Sequence, residues 1–203
     1  MTTKQKLALV VPLPLIAVMY PVFHGLAHAF RENWRVAWFL GLAGYWVVWG
    51  AAFPILVVGW KQIAAMIRPR RPDATTLLLT AFPVAMAAVF RLLSGMEYDK
   101  PGALATLLVL ASTAGNGLFE EILWRGVYLK LYRNAILLGV LWPGLWFALW
   151  HYVPGSIAPD GHVAGLMIGS GMFGLYLGFL ARKTDGLWWC VVAHVLGGIV
   201  MVT

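Results

Sequence analysis

Residues 102–132 read GALATLLVLASTAGNGLFEEILWRGVYLKLY. The run is long enough to cross about 30 Å of hydrocarbon as a helix, which takes roughly 20 residues. Its interior nevertheless carries Glu120, Glu121 and Arg125. The length decides the fold, and the charges direct the search for function. Outward from this stretch, comparable apolar runs cover residues 7–30, 36–60, 74–90, 135–152, 163–181 and 186–202. The expected architecture is an all-α, polytopic membrane bundle of about seven transmembrane helices. A membrane barrel would show alternating segments of about ten residues, and none are present. One membrane-embedded domain is expected over residues 1–203, with the motif-bearing core at about 102–203.

Composition agrees. With 61% of its 203 residues hydrophobic and 11% charged, the chain has too little charge to clothe a water-soluble globule. Cys190 has no partner, so neither a disulfide nor a cysteine-based zinc site is available. Lys4 and Lys6 precede the first apolar run, but Pro12, Pro14 and Pro21 and the lack of a small-residue cleavage pattern favour an uncleaved first helix.

The formal charge of +7 reads as topology, not as nucleic-acid binding. If the spans alternate, Lys4, Lys6, Lys61, Arg68, Arg70, Arg71, Lys130, Arg133, Arg182 and Lys183 share one side. Arg31, Arg35, Arg91 and Lys100 fall on the other. The positive-inside rule then puts the N terminus in the cytoplasm and the C terminus outside, in a multi-pass protein of the cell membrane. Residues 67–73, with Pro69 and Pro72 among three arginines, form the clearest loop, one that also meets anionic headgroups. Trp34, Trp60, Trp142, Trp188 and Trp189 fall near span ends, as an interfacial aromatic belt would place them.

A charge near the centre of a membrane helix costs about 2.5–3.5 kcal/mol on insertion scales, so three of them close together need compensation. Glu121 and Arg125 are four residues apart with the carboxylate first, the favourable order for an ion pair. Glu120 points about 100° away on an α-helix. It is left over, and is the better candidate for chemistry. His151 ends the fifth run and His194 lies within the seventh. At 1.5 Å per residue from the turn near Arg133, Glu120, His151 and His194 lie roughly 20, 24 and 16 Å deep, so the three can meet in one polar pocket. A desolvated carboxylate there is a competent general base toward water, and the histidines can orient that water, donate to an oxyanion or bind a metal. No serine triad, intramembrane aspartate pair or H-E-x-x-H is present.

These residues resemble the CPBP membrane proteases, which include the CAAX prenyl endopeptidases and bacterial bacteriocin-processing and self-immunity proteins. Glu120, Glu121 and Arg125 match the family's E-E-x-x-x-R, and Phe147 and His151 match its F-x-x-x-H. His194 matches the third motif, but Gly198 stands where Asn or Asp is usual. The resemblance implies an intramembrane endopeptidase in which Glu120 activates water, His151 positions it and His194 stabilises the oxyanion, with Glu121 and Arg125 in support. Asn116, one turn before Glu120, is a candidate substitute for the missing side chain or a plain interhelical hydrogen bonder. Glu120, His151 and His194 also make a candidate zinc ligand set, and a metal-free mechanism uses the same groups. The implied partners are a membrane-associated peptide or protein substrate and the lipid bilayer. The alternative reading is a non-catalytic scaffold or immunity protein of the same fold. His24 and His28, four residues apart, are either a further metal-binding pair or two interfacial histidines.

Overall fold

Backbone N–H and C=O groups find no water in hydrocarbon, so a chain this apolar satisfies them within its own helices. The structure, a computed structural model, describes residues 1–94, 102–159 and 161–202; Lys100, counted above, lies outside them. Among the described residues there are helices and turns but no strand. The helices are α1 (Thr3–Ala29), α2 (Trp34–Val57), α3 (Trp60–Ile67), α4 (Ala74–Ser94), α5 (Ala103–Leu131), α6 (137–150), α7 (Val163–Thr184) and α8 (Trp188–Val202). The chain is an all-α polytopic membrane bundle.

Five of these, α1, α2, α4, α5 and α7, are long and apolar enough to cross a membrane. The two remaining expected spans take other forms. α8 has only 15 residues. The fifth run divides into a π-helical turn (Leu137–Leu141), a regular helix (Trp142–Trp150) and a short turn (Tyr152–Gly155), with His151 at the last junction. Pro143 has no N–H to continue the ladder, which accounts for the irregular turn before it. Helix α3 was not among the expected spans. Gly59, at φ 96°, turns the chain sharply enough to set α3 off from α2.

Tyr128 donates its hydroxyl to the Ala8 carbonyl at 2.6 Å, and Gln5 Nε2 donates to the Leu131 carbonyl at 2.9 Å. These bonds bring the start of α1 to the end of α5. At the same end, Leu187 N–H bonds the Met66 carbonyl at 2.7 Å, and Asp185 pairs with Arg133 at 3.0 Å and Arg70 at 3.7 Å. Residues assigned from sequence to one side of the membrane therefore share one end of the bundle.

Helices α6 and α7 approach closely because glycines line the seam, as small residues do between membrane helices. A Cβ at Gly144 would stand 2.5 Å from Leu175 Cδ2. One at Gly174 would stand 2.7 Å from Phe147 Cδ1 and 3.1 Å from Arg125 Nη2. Gly174→Ala is therefore expected to destabilise the protein by about 1–3 kcal/mol, the usual range for overpacking. Gly165→Ala, where a Cβ meets nothing within 4 Å, should be neutral. Thermal unfolding in detergent compares the two, and equal midpoints would refute a tight seam.

Candidate active site

Helix α5 is not regular where it carries its charges. Two π-helical turns, Asn116–Glu120 and Ile122–Val127, occupy it in succession. Such turns bond i to i+5, widen the helix and gather at functional sites. The consequence departs from the α-helical reading of the sequence. Glu120 and Glu121 do not divide their partners but turn to the same imidazole. His194 Nδ1 lies 2.8 Å from Glu121 Oε1, and its Nε2 lies 3.7 Å from Glu120 Oε2. Arg125 Nη1 is 3.1 Å from Glu121 Oε1. Glu121 is thus shared between Arg125 and His194.

All three α5 charges are buried, at 1% exposure for Glu120, 0% for Glu121 and 2% for Arg125. Their hydrogen bonding is incomplete. Glu120 Oε2, Glu121 Oε2 and both terminal nitrogens of Arg125 have no aligned partner, so the 3.1 Å approach of Arg125 to Glu121 is an ion pair without good hydrogen-bond geometry. Buried polar atoms in this state mark a site prepared for something else, water or substrate included. Arg125 finds further support in the ring of Phe147, with Cζ 4.2 Å from the ring centroid.

Glu120 Oε1 accepts a hydrogen bond from the indole Nε1 of Trp150 at 3.1 Å. Trp150, wholly buried, is stacked on Tyr45 of α2 with centroids 4.2 Å apart and planes 20° apart. The Tyr45 hydroxyl in turn accepts from Trp124 Nε1 at 2.8 Å. Sequence reading missed Trp150 and Tyr45. Depth was a signal only for Trp124, which sits inside its run; Trp150 stands beside the end of the run 135–152, where a belt also collects tryptophan.

His151 joins the group through Phe147. Its Nδ1 is 2.7 Å from the Phe147 carbonyl, and the two rings meet edge to face at 4.5 Å. The Phe147 ring also lies 6.5 Å from that of His194. No hydrogen bond or ion pair among the described residues links His151 directly to Glu120. Asn116 Oδ1 accepts from Trp46 Nε1 at 2.9 Å, an interhelical hydrogen bond. Gly198 faces Thr113, where a Cβ would stand 2.5 Å from Thr113 Cγ2. An Asn or Asp at 198 could not be accommodated unless Thr113 moved.

His24 and His28 do not converge. His24 Nε2 is 3.0 Å from Ser156 Oγ, whereas His28 contacts Arg31. Ser156 gives its own proton to the Val153 carbonyl at 2.8 Å, so it accepts from His24 and is not activated as a nucleophile. Among the described residues no three His, Cys, Asp or Glu side chains are grouped to hold a metal ion. Of the three sequence-predicted residues, His194 lies 3.7 Å from Glu120, and His151 bonds the Phe147 carbonyl through Nδ1.

The fold and these contacts define a membrane helical bundle with a buried carboxylate, guanidinium and imidazole site between α5, α6 and α8. Residues 101–200, which hold α5, α6 and all but the last two residues of α8, match a family model described as type II CAAX prenyl endopeptidase Rce1-like. The chain belongs to this family of CAAX-type membrane proteases. No curated protein and no solved structure gives a significant match.

Breaking a buried pair by removing one partner typically costs 3–5 kcal/mol, more than removing both. Arg125→Met and Glu121→Gln should therefore each reduce folded yield, and the double variant should recover part of it. Size-exclusion yield in detergent measures this. A well-folded, wholly inactive Arg125→Met would instead give the guanidinium a direct role in the reaction.

Proposed function

We propose that this protein is an intramembrane endopeptidase that hydrolyses a peptide bond of a membrane-associated substrate with water activated by Glu120. The observation that carries the reading is the asymmetry of the Glu120 carboxylate. One oxygen is held by Trp150, and the other is buried, has no hydrogen-bond partner and lies 3.7 Å from His194 Nε2. A base needs that second oxygen free to take a proton.

The donors and acceptors follow from the contacts. A carbonyl only accepts, so His151 Nδ1 carries its proton toward Phe147, and Nε2 of the neutral ring is left as an acceptor that can orient a water. His194 Nδ1 likewise carries its proton toward Glu121. Its Nε2 donates when the ring is cationic, and two carboxylates are then balanced by Arg125 and His194. In the reaction Glu120 takes a proton from water as the oxygen bonds to the peptide carbon. His194 donates to the oxyanion that forms. The C–N bond then breaks, and the proton held by Glu120 passes to the leaving amine. None of these steps requires a metal.

The family description makes a prenylated peptide ending in C-a-a-X the first substrate to try. The cationic end of the bundle supports a cytoplasmic N terminus in the cell membrane. A second reading, a non-catalytic scaffold or immunity protein, draws on Gly198, which lacks the family's usual side chain and where a Cβ would stand 2.5 Å from Thr113 Cγ2.

The two separate on one measurement. Protein in lipid nanodiscs is incubated with a farnesylated C-a-a-X peptide, and membrane proteomes of cells expressing wild type and Glu120→Gln are compared for cleavage products. Glu120→Gln should abolish cleavage without loss of folded protein, and full activity in that variant would sink the mechanism.

His151→Ala and His194→Ala should each lower kcat by about 10²-fold or more, and combining either with Glu120→Gln should add almost nothing, because residues acting as a unit are not additive. Activity should survive a strong chelator. Loss on chelation with recovery on added zinc would make the three residues metal ligands instead.

A further inference from the structure

The buried aromatic group behind Glu120 has no part in proton transfer, yet it determines where the base can point. We infer that Trp150 is a positioning residue for Glu120, locked in place by Tyr45 from the half of the chain outside the family match. The inference rests on the reading of Glu120 as the general base.

A glutamate side chain has three rotatable bonds, and Glu120 carries them at the end of a wide π-helical turn. The Trp150 indole offers one donor and no acceptor, so it can only hold an oxygen of Glu120, at 3.1 Å. Fixing Oε1 leaves Oε2 as the oxygen that faces His194 Nε2, at 3.7 Å. The indole itself cannot swing. One face is stacked on Tyr45 at 4.2 Å, and Phe23 of α1 meets it edge on at 6.1 Å. Tyr45 is pinned through its hydroxyl by Trp124, which lies on α5 between Glu121 and Arg125. The network closes on itself: α5 carries the base, α6 the donor that orients it, and α2 the ring that holds the donor, which is pinned back to α5. Trp150, Tyr45 and Trp124 are all within 1% of complete burial, so no water competes for the indole.

The residues on α1 and α2 lie outside residues 101–200, the stretch that carries the family match. The N-terminal half therefore does more than complete the membrane bundle. It sets the rotamer of the reacting carboxylate.

The test removes the donor without removing the ring. Trp150→Phe keeps an aromatic on Tyr45, and 3-benzothienylalanine at position 150 keeps the whole indole shape with sulfur in place of N–H. Both should lower kcat on the farnesylated C-a-a-X peptide by about ten- to a hundredfold, the scale of one hydrogen bond to a charged group. KM should be unchanged, with kcat taken per folded protein because the lost donor leaves a buried carboxylate oxygen unsatisfied. Tyr45→Ala should lower kcat as well, and Tyr45→Phe, which restores the stacked ring, should recover most of it. In a Glu120→Gln background none of these changes should matter further.

A substrate-free arm uses isotope-edited infrared difference spectra of the protein in bilayers, wild type minus Glu120→Gln, to identify the Glu120 carboxyl band. That band should shift in Trp150→Phe and in the benzothienylalanine protein. An unshifted band, or full kcat in a folded benzothienylalanine protein, overturns the inference. Full activity in Glu120→Gln overturns the general-base reading instead, and the infrared band still decides whether Trp150 holds the carboxylate.

Discussion

The sharing of Glu121 between Arg125 and His194 is the constraint on which the rest of the structure depends. Each of these charges would be costly alone in hydrocarbon. Placed within about 3 Å of one another, they supply the solvation that the membrane withholds. The arrangement is possible only if α5, α6 and α8 meet at one level. The glycine seam between α6 and α7 is part of that requirement, because Gly174 leaves room both for the Phe147 ring and for the guanidinium beneath it. Packing and electrostatics are here a single problem with a single solution.

The aromatic side chains complete it. Phe147 touches Arg125, His151 and His194, and Trp150 orders Glu120 from the opposite direction. Rings suit this setting, since they fill a membrane interior as well as aliphatic chains do while presenting an N–H or a π face to a charge. Here they orient Glu120 and flank Arg125.

Much of this was legible in the sequence. Run lengths gave the bundle, because hydrocarbon thickness translates directly into residues. The placement of Glu120, Glu121 and Arg125 in the centre of one run marked the site, because charge there demands a reason. Two features were not legible. The first is the π-helical geometry of α5, since nothing in Asn116 to Val127 distinguishes it from a regular helix by periodicity; the α-helical wheel therefore set Glu120 apart from Glu121, when in fact both reach His194. The second is the role of Trp150 and Tyr45, which are 105 residues apart in sequence and meet only through packing. The short α3 was missed for a third reason, because eight residues beside a loop fall below the length at which hydropathy discriminates.

The wide turns of α5 also bear on how this chain can change over evolution. A π turn holds one more residue than the α turn it replaces, and so behaves as an insertion absorbed without breaking the helix. Removing one residue from either turn would restore the ordinary ladder in that turn and rotate everything on one side of the deletion by about 100° relative to the other. The length of the segment is therefore constrained more tightly than its apolar side chains, since the two glutamates face one histidine only while both extra residues are there.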